Sequence, residues 1–216
     1  MTPMPLDFDP LAPAYDAWFE GEGKLIFAIE ARAIRCLLPL LPRPWLEVGV
    51  GSGRFAEALG IETSVDPSIN LLTMARRRGV YGFLGRGEQM PFAAGTFGTA
   101  FLVVTLCFVD SPPAVLGETR RVLRPNGKVV LGLVLRESPW GQFYIQKKQE
   151  GHRFYSHADF LSFDEVVDLL HRAGFEVDGV VSSLFQRPGE VQDMEEPRDG
   201  LSGDAGFTIV VGRKLE

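Results

Sequence analysis

The chain has 216 residues, 45% of them hydrophobic and 23% charged, with a formal net charge of −6. That length and composition suit one globular α/β domain with a sizeable core, and the acidic balance argues against the broad basic face of a nucleic-acid-binding protein. No apolar run approaches the ~20 residues of a membrane span.

The N-terminus, "MTPMPLDFDPLAPAYD", lacks the positive start and apolar core of a signal peptide, so a cytoplasmic protein is expected. Cys36 and Cys107 both lie in apolar sequence and read as reduced thiols. Two cysteines and three scattered histidines give no metal-site spacing.

Residues 1–14 carry four prolines and predict a loose or extended arm. From Tyr15 to Pro42 the pattern is mostly helical, with Ile26, Ile29, Ala33 and Leu37 recurring at helical spacing. A strand over Trp45–Val48 precedes three glycines, and "RFAEALG" behind them predicts a helix ending at Gly60. "IETSVD" reads as a strand ending at Asp66. The next helix opens at Pro67 and closes at Gly79.

"VYGFLG" and "TAFLVVTLCFV" read as the third and fourth strands. "PPAVLGETRRVLRPNG" reads as a helix, and "KVVLGLVL" as the fifth strand. Strands alternating with helices at this spacing imply βαβ units and a parallel sheet. Residues 138–160 are aromatic and polar without clear periodicity. "SFDEVVDLLHRAGF" predicts a capped helix, with Ser162 or Asp164 as N-cap. "EVDGVVSSLF" and "GFTIVVGRK" predict two last strands. The acidic, glycine-containing stretch between them, about Gln186 to Asp204, predicts an exposed loop.

The functional signal is "WLEVGVGSGRF". Gly49, Gly51 and Gly53 follow the first strand directly, where the backbone must turn sharply and approach a partner. Such a turn sets N–H groups and a helix N-terminus at the carboxyl edge of a parallel sheet, where ligands of open α/β sheets bind. Two ligand classes compete. A dinucleotide survives on the glycines alone, because Ala56 is tolerated at the third position counted from Gly51. Glu47 weakens that reading: a carboxylate facing the turn repels a pyrophosphate and welcomes an ammonium.

"LEVGVGSGRF", "SVDPS", "GRGEQMPFAAGTFG" and "LCFVDSPPAVLGETRRVLRPNGKVVLG" follow one another in the order and at the intervals of class I S-adenosylmethionine-dependent methyltransferases. Over about residues 15–182 the chain is most similar to the small-molecule group that includes the ubiquinone/menaquinone-biosynthesis type. The resemblance implies a Rossmann-like α/β three-layer sandwich. Its mostly parallel, seven-stranded sheet would end in an antiparallel hairpin of about 175–182 and 206–212. One methyltransferase domain would span 1–216, with an N-terminal helical cap over 1–38 and a lid-like insertion over 138–160.

The resemblance also implies S-adenosyl-L-methionine as cofactor, S-adenosylhomocysteine as product and a small-molecule methyl acceptor. Glu47 matches the residue that holds the methionine portion, and Gly49, Gly51 and Gly53 match the glycines that let the backbone approach it. Asp66 matches the carboxylate on the ribose hydroxyls, a geometry that suits two O–H donors. Pro67 and Ser68 would line the adenine or ribose edge. Gly87, Glu88 and Gln89 match the loop at adenine. Arg86 stands where the family often has aspartate, so adenine recognition would rest on backbone, on Glu88 or on Met90. Thr105, Leu106 and Cys107 match the segment beneath the cofactor sulfur. Tyr15, Trp18 and Phe19 would cover the cofactor, or simply pack the helix on the body.

Methyl transfer by in-line displacement depends on alignment more than on acid–base power. Candidate bases on the acceptor side are His152, His157, Tyr144 and Tyr155, each also readable as an ordinary surface or packing residue. His171 reads as structural, and Cys107 as an inert thiol. Ser138 and Ser182 have no histidine and carboxylate at triad spacing. An aromatic or isoprenoid-like oxygen or carbon is the acceptor atom that analogy favours. An NAD(P)-dependent oxidoreductase and a non-catalytic S-adenosylmethionine-binding module are the alternatives.

Overall fold

The computed structural model describes residues 9–216; most of the proline-rich arm lies outside them. Two helices come first, α1 (Ala12–Trp18) and α2 (Lys24–Leu37). The turn between them contains Gly21 and Gly23, and a Cβ at Gly23 would fall 2.2 Å from the Trp18 ring. The single helical stretch expected here is therefore two, because Trp18 folds back on a residue that must be glycine. The arm also ends sooner than expected, since the chain is already helical at Ala12.

The α/β core follows as β1 (Trp45–Val48), α3 (Arg54–Leu59), β2 (Thr63–Asp66), α4 (Ile69–Arg77), β3 (Tyr81–Leu84), β4 (Phe97–Val103), α5 (Pro112–Val122) and β5 (Leu123–Leu133). Beyond it lie α6 (Pro139–Gln149), α7 (Phe163–Arg172), β6 (Phe175–Ser183), β7 (Arg198–Asp199) and β8 (Phe207–Lys214). The strands form one sheet in the order β3-β2-β1-β4-β5-β8-β6-β7. The first five run parallel, and β8 lies antiparallel between β5 and β6. The sheet has eight strands rather than seven, because Arg198–Asp199 adds a short edge strand to β6.

Both faces of the sheet are covered, which is why β1 and β4 are buried at every position. Along β4 the side chains alternate. Phe101 and Val103 join Ile29 and Ile34 of α2 and Phe55 of α3 in one core. Ala100 and Leu102 join Val115 of α5 and Leu170 of α7 in the other. This is the three-layer sandwich that the sequence implies.

Local signals set several boundaries. Ser68, not Pro67, caps α4: its Oγ accepts the Leu71 N–H at 3.1 Å, and the helix begins at Ile69. Ser162 caps α7 reciprocally with Glu165, so Asp164 is not the cap. Residues 138–160, an aromatic and polar stretch, contain the three-turn α6. Ser138 accepts the Gly141 N–H at 2.9 Å, and Pro139 occupies the first turn. Its period is hidden by aromatic residues on several faces.

The strand order reverses between β1 and β4, because β1 leads to β2 on one side while β4 lies on the other. That switch point is where open α/β sheets bind ligands. The glycine turn leaving β1 occupies it. Gly49, Gly51 and Gly53 all have positive φ (+73°, +53° and +85°), a region that disfavours any side chain.

At Gly53 space is also closed, since a Cβ would lie 2.8 Å from the Ala75 Cα in α4. Gly53→Ala should therefore destabilise the fold by about 2 kcal/mol, combining backbone strain with overpacking. Chemical denaturation should show this as a lower midpoint at unchanged slope. An unchanged midpoint would mean that the turn tolerates a side chain.

Candidate functional site

Glu47, next to last in β1, and Asp66, last in β2, lie on adjacent parallel strands, and both are buried. Asp66 is held by backbone on both oxygens: the Gly51 N–H donates to Oδ2 and the Ser68 N–H to Oδ1, each at 2.8 Å. Burial raises its carboxyl to about 6, although those two N–H groups pull it down. Glu47 is raised well above the carboxylate range, first by burial and then by the Asp66 charge, with the Ala56 backbone pulling the other way. Its Oε2 is buried and has no hydrogen-bond partner.

A buried carboxylate oxygen without a donor is costly. The Asp66 charge on the neighbouring strand adds to the burial that holds a proton on Glu47, and a cation brought to the crevice offsets both. The arrangement suits a ligand that brings a cationic N–H donor, and it opposes a pyrophosphate. Asp66 retains lone pairs for a diol beyond its two backbone bonds. Among the described residues no cluster of histidine, cysteine and carboxylates could hold a metal ion.

The rest of the turn is closely fitted. A Cβ at Gly49 would meet Thr105 Cγ2 at 2.4 Å, and one at Gly51 would lie 3.3 Å from Tyr15 Cε1. Thr105 donates its hydroxyl to the Val48 carbonyl at 3.1 Å, which ties the end of β4 to β1. Tyr15 is pushed above the ordinary tyrosine range by burial and then by the Asp66 charge.

Tyr15 is delivered there by an ion-pair clamp that the glycine motif does not announce. Arg54, the first residue of α3, grips both Asp16 oxygens at 2.8 and 2.9 Å. Arg78, just beyond α4, reaches Asp16 Oδ2 at 2.9 Å. Burial works against the Asp16 carboxylate, but the hydrogen bonds led by Arg54 hold it down near 2. Arg54 thus stands at the third-glycine position counted from Gly49 because its side chain pins α1 across the turn.

The other predicted cofactor residues are spread along the same edge. Pro67 is exposed beside buried Ser68. Gly87 packs on Val48 and Val115, where a Cβ would lie 3.1 to 3.2 Å away. Glu88 accepts the Asp110 and Ser111 N–H groups at 3.1 and 3.4 Å, so its carboxylate organises a loop. Arg86 pairs with Asp110 and Glu88. Gln89 is exposed and donates its N–H to the Arg86 carbonyl. Leu106 and Met90 are buried in the core beneath α5.

A cavity of about 790 Å³ opens beside this edge. Its walls include Tyr15 and Trp18 of α1, Glu30 of α2, Val103 and Val104 at the end of β4, and Phe143 and Tyr144 of α6. Tyr144 and Tyr155 stack at 4.2 Å, and His152 stacks on Tyr155 at 4.9 Å. Burial raises Tyr155 to about 12 and raises Tyr144 as well. Burial, followed by Lys147 and Arg153, lowers His152.

His157 is exposed and is not part of the cavity lining. His171 is exposed in the last turn of α7 and does not line the cavity. Burial pushes the Cys107 thiol up to about 12, which agrees with an inert thiol. The 186–204 stretch is more than an exposed loop. Glu195 accepts the Phe185 and Gln186 N–H groups at 2.6 and 2.9 Å, and Gly189 and Val191 help close the cavity.

Sequence reading missed Glu30. It lies one residue from Ile29 and four from Ile26 and Ile34, on the buried face of α2. A glutamate inside an apolar stripe was the available signal. Burial raises its carboxyl to about 8.

Residues 46–131 match the methyltransferase-domain family. An uncharacterised protein of Mycobacterium tuberculosis is 40% identical over 201 residues, which cover 92% of this chain and 70% of that protein. Another, from Methanocaldococcus jannaschii, is 34% identical, covering 96% of this chain and 98% of its own. The solved structure of a SAM-dependent methyltransferase from Thermotoga maritima, described as a possible histamine N-methyltransferase, has 37% identity and a TM-score of 0.90. It covers 96% of this chain and 98% of that one. The chain belongs to the S-adenosylmethionine-dependent methyltransferases. It is an enzyme of that class, with S-adenosyl-L-methionine as its cofactor. Among the described residues no helix is long and apolar enough to cross a membrane.

The buried acids predict a specific pH dependence for the ligand-free protein. Asp66 at about 6 and Glu30 at about 8 both lie above their unfolded values near 4. Proton binding therefore favours the folded state. The stability this gives is complete below about pH 4 and is lost as pH rises through 6 and 8. Scanning calorimetry should show Tm falling by ~5 °C or more between pH 5 and pH 9. A flat or rising Tm would contradict the burial of these groups.

Proposed function

We propose that the chain methylates a small-molecule acceptor held in the aromatic cavity, with the cofactor clasped at the glycine turn. The observation that carries this reading is the partnerless Glu47 oxygen beside buried Asp66 at the switch point. Glu47 takes the ammonium of the methionine portion, and Asp66 takes the ribose hydroxyls. Gly49, Gly51 and Gly53 let the backbone approach. Thr105 fixes the β4 end beneath the sulfur, and the Gly87–Gln89 loop borders adenine. When bound, S-adenosyl-L-methionine supplies an electrophilic methyl group on a cationic sulfur.

The chain's own residues align and enclose. Tyr15 and Trp18 on α1 separate the crevice from solvent, and the Asp16 clamp holds them there. The α6 segment and the 186–204 stretch close the acceptor side, as a lid over 138–160 would. A volume near 790 Å³ is in the range of small-molecule sites. The description of the T. maritima relative names a small amine, which fits an acceptor of this size. Tyr144 and Tyr155 keep their protons near neutral pH, so they orient the acceptor by hydrogen bonding and stacking. His152 is neutral there and is the one histidine on the cavity wall.

Calorimetry tests the cofactor half directly. S-adenosylhomocysteine should bind, and Asp66→Ala should weaken it by ~1.5–3 kcal/mol per charged hydrogen bond lost. Unchanged affinity would remove Asp66 from the site. Binding of NAD(P) with none of S-adenosylhomocysteine would overturn the reading as a whole.

A further inference from the structure

Among the described residues, Glu30 is the one charged side chain buried in the wall of the acceptor cavity. It is only 6% exposed, yet it lines that space. Among the described residues no hydrogen bond or ion pair reaches its carboxyl. The charged groups Glu22, Lys147 and Arg153 also line the cavity, but they stand at its rim. Glu22 and Arg153 are exposed, and Lys147 pairs with Glu150 at 3.2 Å. Tyr15 on α1, Tyr144 on α6 and Tyr155 share the cavity with Glu30, near enough that its ionised form holds their protons more tightly.

A buried carboxylate with no donor costs stability. Water at the rim screens the exposed charges, whereas Glu30 acts in a medium of low dielectric. Burial holds the proton on the Glu30 carboxyl up to about pH 8, and a cation placed beside it draws out the carboxylate. The surrounding rings favour the same ligand, because aromatic faces attract cations. Trp18, Phe143, Tyr144 and Tyr155 all contribute to the lining.

We propose that the acceptor carries a basic nitrogen, and that Glu30 selects it by pairing with its ammonium inside the aromatic cavity. This rests on the acceptor occupying the cavity as set out above. Glu30 is then the specificity-determining residue of the acceptor site, and the rings supply its apolar contact. A neutral acceptor brings no cation to draw the proton from Glu30, and an anionic one is desolvated there with no counter-charge.

The test uses three indole probes that differ only in their end group: tryptamine, tryptophol and indole-3-acetate. Each is titrated calorimetrically into the full chain saturated with S-adenosylhomocysteine. Tryptamine should bind at least ten-fold tighter than tryptophol, and indole-3-acetate should bind weakest. Glu30→Gln should abolish the preference for tryptamine while leaving S-adenosylhomocysteine affinity and Tm at or above wild type.

Equal binding of the three probes by the wild-type chain, or a preference that survives in Glu30→Gln, overturns the proposal. The wild-type comparison decides even if the variant does not fold. Failure of S-adenosylhomocysteine to bind in the first titration would instead strike the cofactor site, so the two failures are distinct.

Discussion

The structure is organised by the burial of two carboxyl groups at the point where the strand order reverses. Glu47 and Asp66 sit on neighbouring strands, out of water; backbone N–H groups face Asp66, while Glu47 Oε2 has no donor. Such a pair raises its own proton affinity and weakens the empty fold. A ligand that brings a cation and hydroxyl donors to the same place repays that cost. The glycines follow from this constraint, because donors on the turn can reach Asp66 only if Gly51 carries no side chain under Tyr15.

Around that centre the chain spends its arginines on holding a cover. Asp16 lies between Arg54 and Arg78, so α1 is fastened to both helices that flank the crevice. The arrangement is half-buried and bidentate, which gives it more weight than an exposed surface pair. Its effect is positional. It sets Tyr15 over the glycine turn and Trp18 in the cavity wall, joining the cofactor side to the acceptor side through one short helix.

Much of this was legible in the sequence because it is local chemistry. A buried strand, three glycines and a helix announce a βα turn. Glu47 and Asp66 are found by counting to strand ends. The capped helix at Ser162 and the final antiparallel pair also follow from short patterns. What was not legible depends on tertiary contact. The Asp16 clamp joins residues 38 and 62 positions apart. The break between α1 and α2 exists because the Trp18 ring needs the space beside Gly23. The α6 helix hid its period because Trp140, Phe143 and Tyr144 serve both core and cavity. Glu30 looked like an ordinary helix residue until its neighbours on the same face proved to be buried.

Everything turns on where two carboxylates point when the cofactor site is filled. A crystal structure with S-adenosylhomocysteine measures this directly. The amino nitrogen of the ligand should lie within hydrogen-bonding distance of Glu47 Oε2, with both ribose hydroxyls on Asp66. A ligand bound elsewhere, or one seated at the turn with Glu47 still lacking a donor, would contradict it.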